Sequence, residues 1–336
     1  MNQSLLIQSS LLIQLAALVL ISSAMAQEDS PVFGQVTTTK KTALKASPNA
    51  HGATATTLAP NTDLRWLMGQ RKGKYVRVMM PKGPSGWVLE ADVKIVTQAD
   101  LTSIALEGSS QPCVVPATLS ACTTKNPTGC STPGTSHALA NQLKRTVPPP
   151  GNPTPLTFEN FSQLQDAAVA LVDQGLEISP ADRGKISSID LSDVTAGEGS
   201  RVRLVAFLSE GKPHPNSGES VNCNLKTEAN NDIHISITEV KSASEFESIV
   251  VEMIPQNRPA NWTSKNVGKL RGKLLMIEGG LFYDNIHFVN SDAQNAMPNQ
   301  PKRFSLWEIH PVTSVKVCKK ANNQCDANRP SDWKAF

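Results

Sequence analysis

Asp232-Ile233-His234-Ile235-Ser236-Ile237-Thr238 is the stretch that decides the fold. Successive side chains of a strand point to opposite faces. Ile233, Ile235 and Ile237 therefore build one apolar face, and Asp232, His234 and Ser236 the other. Strict alternation of β-branched and polar residues predicts a half-buried strand. Four further strands are predicted around it, at 201–208, 249–253, 270–278 and 304–317. Ahead of them a helix starts at Thr157, its cap, and stops at Gly175; Phe161, Leu164, Ala168, Leu171 and Val172 form its apolar face. Asn160 stands three residues after the cap, where a full capping box would have Glu or Gln. Five strands with one flanking N-terminal helix predict a small closed barrel, OB-like in class, over 156–320, with 321–336 as a C-terminal tail.

Upstream, residues 97–155 read as a connector rich in Cys and Pro. It ends in the run 147–155, Val-Pro-Pro-Pro-Gly-Asn-Pro-Thr-Pro, which favours a semi-rigid extended spacer. A short helix is expected at 136–145 with Ser136 as its cap. Residues 31–96 form a separate module of short strands and tight turns, which predicts a second small barrel. The chain is mainly β, and 39% hydrophobic content suffices for such cores but not for a multi-span membrane protein. The net charge of +3 implies no global polyelectrolyte partner. Residues 31–96, however, hold ten basic side chains against three acidic ones, a local excess of +7 that leaves −4 for the rest.

The chain opens with an apolar run from Leu11 to Ile21 holding a single Gln, then small residues ending Ala24-Met25-Ala26. This reads as an export signal over 1–26, although no Lys or Arg precedes the run; an uncleaved anchor is the other reading. Export to a periplasm or to the medium is expected, and no later segment is long and apolar enough for a membrane-spanning helix. Six cysteines, Cys113, Cys122, Cys130, Cys223, Cys318 and Cys325, suit an oxidising compartment. They allow 15 pairings; Cys318 and Cys325 flank a short loop and could pair locally, and a disulfide among Cys113, Cys122 and Cys130 would staple the connector. The absence of Cys-x-x-Cys speaks against a redox motif or a zinc knuckle.

Leu44, Ser47 and Pro48, then Tyr75-Val76-Arg77-Val78, then Gly86-Trp87-Val88 with Ala91-Asp92-Val93 behind it, give the first module its motifs. On these, residues 32–96 resemble the bacterial SH3 (SH3b) family; Lys45-Ala46 and Asn61 depart from its pattern. The resemblance implies a binding domain directed at cell-wall peptidoglycan or a peptide partner. Trp66, Tyr75 and Trp87, beside Arg77, are the expected ligand-binding residues, with burial in a core as the plainer role for Trp87. In the second domain, Glu198-Gly199-Ser200-Arg201-Val202-Arg203, Glu219-Ser220-Val221-Asn222-Cys223, Asp232-Ile233-His234-Ile235, Gly280-Leu281-Phe282-Tyr283-Asp284-Asn285-Ile286-His287 and Trp307-Glu308-Ile309-His310-Pro311-Val312 resemble an uncharacterised family of secreted bacterial domains. That resemblance implies no chemistry.

Pleat geometry does suggest chemistry. Asp232 and His234 share a face, as do Glu308 and His310, while Asp284 and His287 lie at a strand-to-loop junction. Convergence of these six would create a site for a divalent metal such as zinc, or a metal-free acid/base patch. The plainer reading is a hydrogen-bonded network that pins the strands. Pro311 suggests a strand end or bulge after His310. Cys223 with His234 as base would make a nucleophile, but a disulfide is the better expectation for Cys223. Three functions follow: a non-enzymatic exported binding protein needing no cofactor, a metal-dependent hydrolase, and a nucleic-acid binder using the OB-like barrel.

Overall fold

The computed structural model describes residues 33–80, 85–95, 114–172, 178–209, 214–215, 218–285, 287, 289–291, 293 and 301–336. The predicted export segment 1–26 and Cys113 lie outside the described residues. The described chain is mainly β, with few and short helices.

The first module contributes β1 (Phe33–Thr38), β2 (Thr42–Lys45), β3 (Thr54–Leu58), β4 (Asp63–Lys72), β5 (Tyr75–Met79), β6 (Ser85–Leu89) and β7 (Val93–Ile95). They form one sheet in the order β3-β2-β6-β5-β4-β1-β7. Gly73, at φ +58°, makes the tight turn between β4 and β5 that an L side chain rarely tolerates. Val36, Leu44, Leu58, Leu64, Val76, Val78 and Val88 bury together. At about 1.5–3 kcal/mol per fully buried side chain, this small core is what opposes the chain's conformational entropy here.

Helices α1 (Leu119–Lys125) and α2 (Ser136–Arg145) follow, then β8 (Thr154–Leu156), α3 (Phe158–Leu171) and α4 (Pro180–Lys185). A small hairpin of β9 (Ile189–Asp190) and β10 (Thr195–Ala196) leads into β11 (Arg201–Leu208). The remaining elements are β12 (His214–Pro215), β13 (Ile233–Thr238), β14 (Ile249–Met253), α5 (Ser264–Gly268), β15 (Leu274–Tyr283), β16 (Trp307–Cys318) and β17 (Trp333–Ala335). Five strands close into a ring, β11-β13-β14-β16-β15 and back to β11. Every pairing in it is antiparallel except β14 with β16. Closure leaves these strands no free edge. The alternating residues Ile233, Ile235, Ile237, Val202, Leu204, Val251, Leu281 and Ile309 fill the interior.

Helix α3 adds Phe161, Leu164 and Ala168 to that core. Its start is fixed by a complete reciprocal capping box, because Asn160 accepts from the Thr157 backbone just as a Glu would. Its carbonyl at Leu164 accepts the indole N–H of Trp307 at 2.9 Å.

Strand β15 departs from its predicted span of 270–278. It begins only at Leu274, because Gly272 at φ +69° turns the chain, and it runs on to Tyr283. Gly279 and Gly280 are not a stop. A Cβ on Gly279 would lie 2.3 Å from the Pro311 carbonyl oxygen, so only glycine lets β15 and β16 approach. The pairing shifts register on either side of Gly279, yet β16 continues through Pro311 to Cys318, so the expected irregularity is a bulge and not a strand end.

Two segments read as peripheral belong to the folded body. Residues 321–336 return as β17 on β16, and Trp262 stacks on Phe336. The connector holds α1 and α2, the latter capped by Thr135 and not Ser136. Cys122 of α1 is bonded to Cys223, 101 residues away, and Cys318 to Cys325. Cys130 is also disulfide-bonded. These bonds fit an oxidising compartment. No helix among the described residues is long and apolar enough to cross a membrane.

Candidate functional site

Register builds the site. His234 stands opposite Glu252, Val251 opposite Ile309, and Phe282 opposite Glu308. Because Ile233, Val251, Ile309 and Leu281 face the barrel interior, His234, Glu252, Glu308, His310 and Phe282 all face outward in one band. That outer face is covered. The 218–226 loop lies over its β13 side and α2 over its β15 side. The cover is fastened by the Cys122–Cys223 bond and by Asn141, whose Nδ2 reaches Ser220 Oγ at 3.1 Å. Asp232, Glu252, Asp284, Glu308 and His310 are each no more than 1% exposed.

Glu252 is the node. Its Oε2 lies 3.2 Å from His234 Nε2 and 3.0 Å from His310 Nδ1. His234 Nε2 also meets Glu219 Oε1 at 3.0 Å, and His310 Nε2 lies 3.4 Å from Asp232 Oδ2. Glu219 accepts from the Asp232 backbone N–H at 3.0 Å, and Asn222 Nδ2 donates to both Glu219 and Asp232. On the other side, Arg303 pairs with Glu308 at 2.5 Å and Lys144 of α2 with Asp284 at 3.4 Å. His287 lies 3.5 Å from Asp284. His310 packs edge-on against Phe282.

Five of the six candidate ligands thus enter one buried network, and His287 sits at its margin. Three sets of acidic and imidazole groups bring liganding atoms within 4.8 Å of one another: Glu219, Asp232 and His234; Asp232, Glu252 and His310; and Glu252, Asp284 and Glu308. Such sets can hold a divalent metal, or neutralise one another with protons.

The charges are strongly coupled. Burial, the largest influence on each group, works against ionisation throughout. In His310 it is overcome by Glu252, Asp232 and Glu308, and in His234 by Glu252 and Glu219, so both are held well above the usual histidine range. Glu252 is correspondingly held well below the carboxylate range by His234 and His310. Burial and then the Glu219 charge raise Asp232, and burial and then the Glu252 charge raise Glu308. For His287 burial prevails over Asp284 and lowers it to about 4.

Glu252 and Glu219 were not among the candidates read from sequence. Glu252 is the one charge in the apolar run Ile249–Met253, and that was its signal. Glu219 sits in a loop whose approach to β13 no periodicity reveals.

In the first module, Lys45, Trp87 and Arg77 are consecutive cross-strand partners on β2, β6 and β5. They share the face opposite Val76, Val78 and Val88. The Arg77 guanidinium lies 5.9 Å from the centre of a Trp87 ring, so Trp87 is a half-buried platform outside the main core. Tyr75 lies on the same face, and both it and Arg77 are buried. Trp66 is placed by its backbone opposite Val78, and its side chain is outside the described residues. Cys223, the alternative nucleophile, is spent in its disulfide.

No protein-family model matches the chain, and no curated protein matches it.

Proposed function

We propose that this chain is an exported, non-enzymatic binding protein. An SH3b-like module engages cell-wall peptidoglycan, and an OB-like barrel serves as its closed, cross-linked scaffold. The observation that carries this reading is the half-buried Trp87 ring, flanked across the first sheet by half-buried Lys45 and by the buried Arg77 guanidinium. Exposed Lys40, Lys41, Lys72, Lys74 and Lys94 surround the module, so it offers an aromatic ring and excess positive charge together. That combination suits an anionic, sugar-bearing polymer. The ring order of the second barrel, a three-strand meander closed by a parallel third-to-fifth pairing, supports the OB-like assignment. The hydrolase reading needs a substrate to reach the His/carboxylate cluster, and Glu308, His310, Asp232 and Glu252 lie beneath α2 and the 218–226 loop. Nucleic-acid binding has less support: Arg201 and Arg203, the cations on the outer face of β11, are both paired with Glu278.

The test is co-sedimentation of the oxidised chain with purified sacculi across a salt series. Binding at 20 mM salt that falls at least tenfold by ~0.3 M is expected, since screening shortens the reach of surface charge. Trp87→Ala should lose most binding at every salt concentration. Recovery of all protein in the supernatant at low salt would remove the peptidoglycan reading.

A further inference from the structure

We infer that Asp232, His234, Glu252 and His310 form a site for one divalent transition-metal ion, of the zinc class, which fastens strands β13, β14 and β16 beneath their cover. The inference stands apart from the cell-wall reading.

The donors come from three strands of the ring and meet on one face. Asp232 is common to two of the liganding sets, one with Glu219 and His234 and the other with Glu252 and His310. Two buried atoms point to a ligand. Among the described residues His310 Nε2 finds no hydrogen-bond partner, although Asp232 Oδ2 is 3.4 Å away. Glu252 Oε1 has no hydrogen-bond partner among the described residues, on a side chain that is 2% exposed. Bonds of about 2.0–2.1 Å in tetrahedral geometry place neighbouring ligand atoms about 3.3–3.4 Å apart, which is the His310–Asp232 spacing and not that of a good hydrogen bond. The other ring nitrogen, Nδ1, pairs with Glu308 Oε2 at 3.5 Å, a carboxylate contact of the kind that orients metal-bound histidines.

Charge separates this end of the network from the other. Glu308 and Asp284 already have Arg303 and Lys144. Around Asp232 the nearest guanidiniums, Arg145 and Arg258, donate to backbone carbonyls of Asn126, Pro127, Asn231, Met253 and Glu228, and Arg145 also to Cys122 Sγ. A dication and two histidine protons are alternative countercharges for Glu219, Asp232 and Glu252. Mixed imidazole and carboxylate donors favour zinc or a similar ion over calcium or magnesium, which prefer all-oxygen shells.

The experiment uses the full oxidised chain, stripped with EDTA and titrated with Co²⁺ followed by Zn²⁺. One equivalent of Co²⁺ should give a visible band, displaced by Zn²⁺. Saturating zinc at ~1,000 times Kd should raise Tm by roughly 10 °C. With histidines labelled with ¹⁵N, zinc should shift two of the six imidazoles, those missing from the spectra of His234→Gln and His310→Gln. Glu308→Gln should still bind cobalt, and Asp232→Asn should not. Absence of both the band and the Tm shift in the wild-type chain overturns the inference, with no dependence on whether a variant folds. So does a zinc-induced shift of imidazoles other than these two, or a band that survives in folded Asp232→Asn.

Discussion

Arg303 and Glu308 show what one buried charge costs in this barrel. Both side chains are fully enclosed, and among the described residues the Nε and Nη2 atoms of Arg303 find no hydrogen-bond partner. The pair is therefore a constraint on geometry more than a source of net stability, because desolvation of both ions offsets their attraction. Removing one partner is different, since the other is left buried with less compensation. Arg303→Met is expected to destabilise the chain by about 3 kcal/mol in urea unfolding. Arg303→Met combined with Glu308→Gln should recover at least half of that loss. A double variant no more stable than the single one would show that Arg303 acts through Asp284 and Glu252 instead. At this scale the sequence was informative about which side chains face outward: alternation in 232–238 and 307–310 placed Asp232, His234, Glu308 and His310 on polar faces, and they are there. It said nothing of Glu252, because every residue of Ile249–Met253 is buried and a strand covered on both faces carries no alternation to read.

At the scale of elements, α1 and α2 depend on sparse fastenings. Short helices of seven and ten residues are marginal alone, so tertiary contacts must hold them. The Cys122–Cys223 bond closes a separation of 101 residues, worth about 4–5 kcal/mol by chain entropy. Replacing both cysteines by serine should cut hydrogen-exchange protection in Leu119–Lys125 at least tenfold while β13 and β14 stay protected. Unchanged protection would mean that Asn141 and Lys144 suffice to seat the cover. The stretch reads as a connector because Pro, Thr and Gly punctuate it; the helix expected at 136–145 is there, capped one residue earlier by Thr135, whereas α1, capped by Thr118, was not expected. The same local bias shortened β15: Gly279 and Gly280 look like a break until Pro311 is placed beside them.

For the whole molecule, the cores of the first module and the second barrel are separate clusters with no residue in common. All six cysteines lie beyond residue 96. Calorimetry should therefore resolve two transitions. A reducing agent should lower the one belonging to the barrel by several degrees and leave the other in place. A single transition, shifted as a unit, would show that the modules unfold cooperatively. By itself the sequence determined the β character, the strand positions 201–208, 232–238 and 249–253, the division into a basic first module and a larger second body, and the outward direction of the candidate polar groups. These follow from local periodicity and composition, which neighbouring residues suffice to encode. Only the tertiary structure decided that the ring closes through β11 and β13, that β14 and β16 run parallel, and that α2 and the 218–226 loop bury the polar face. Those outcomes rest on contacts between residues tens to a hundred positions apart, where register and packing, and not the local pattern, set which charges meet.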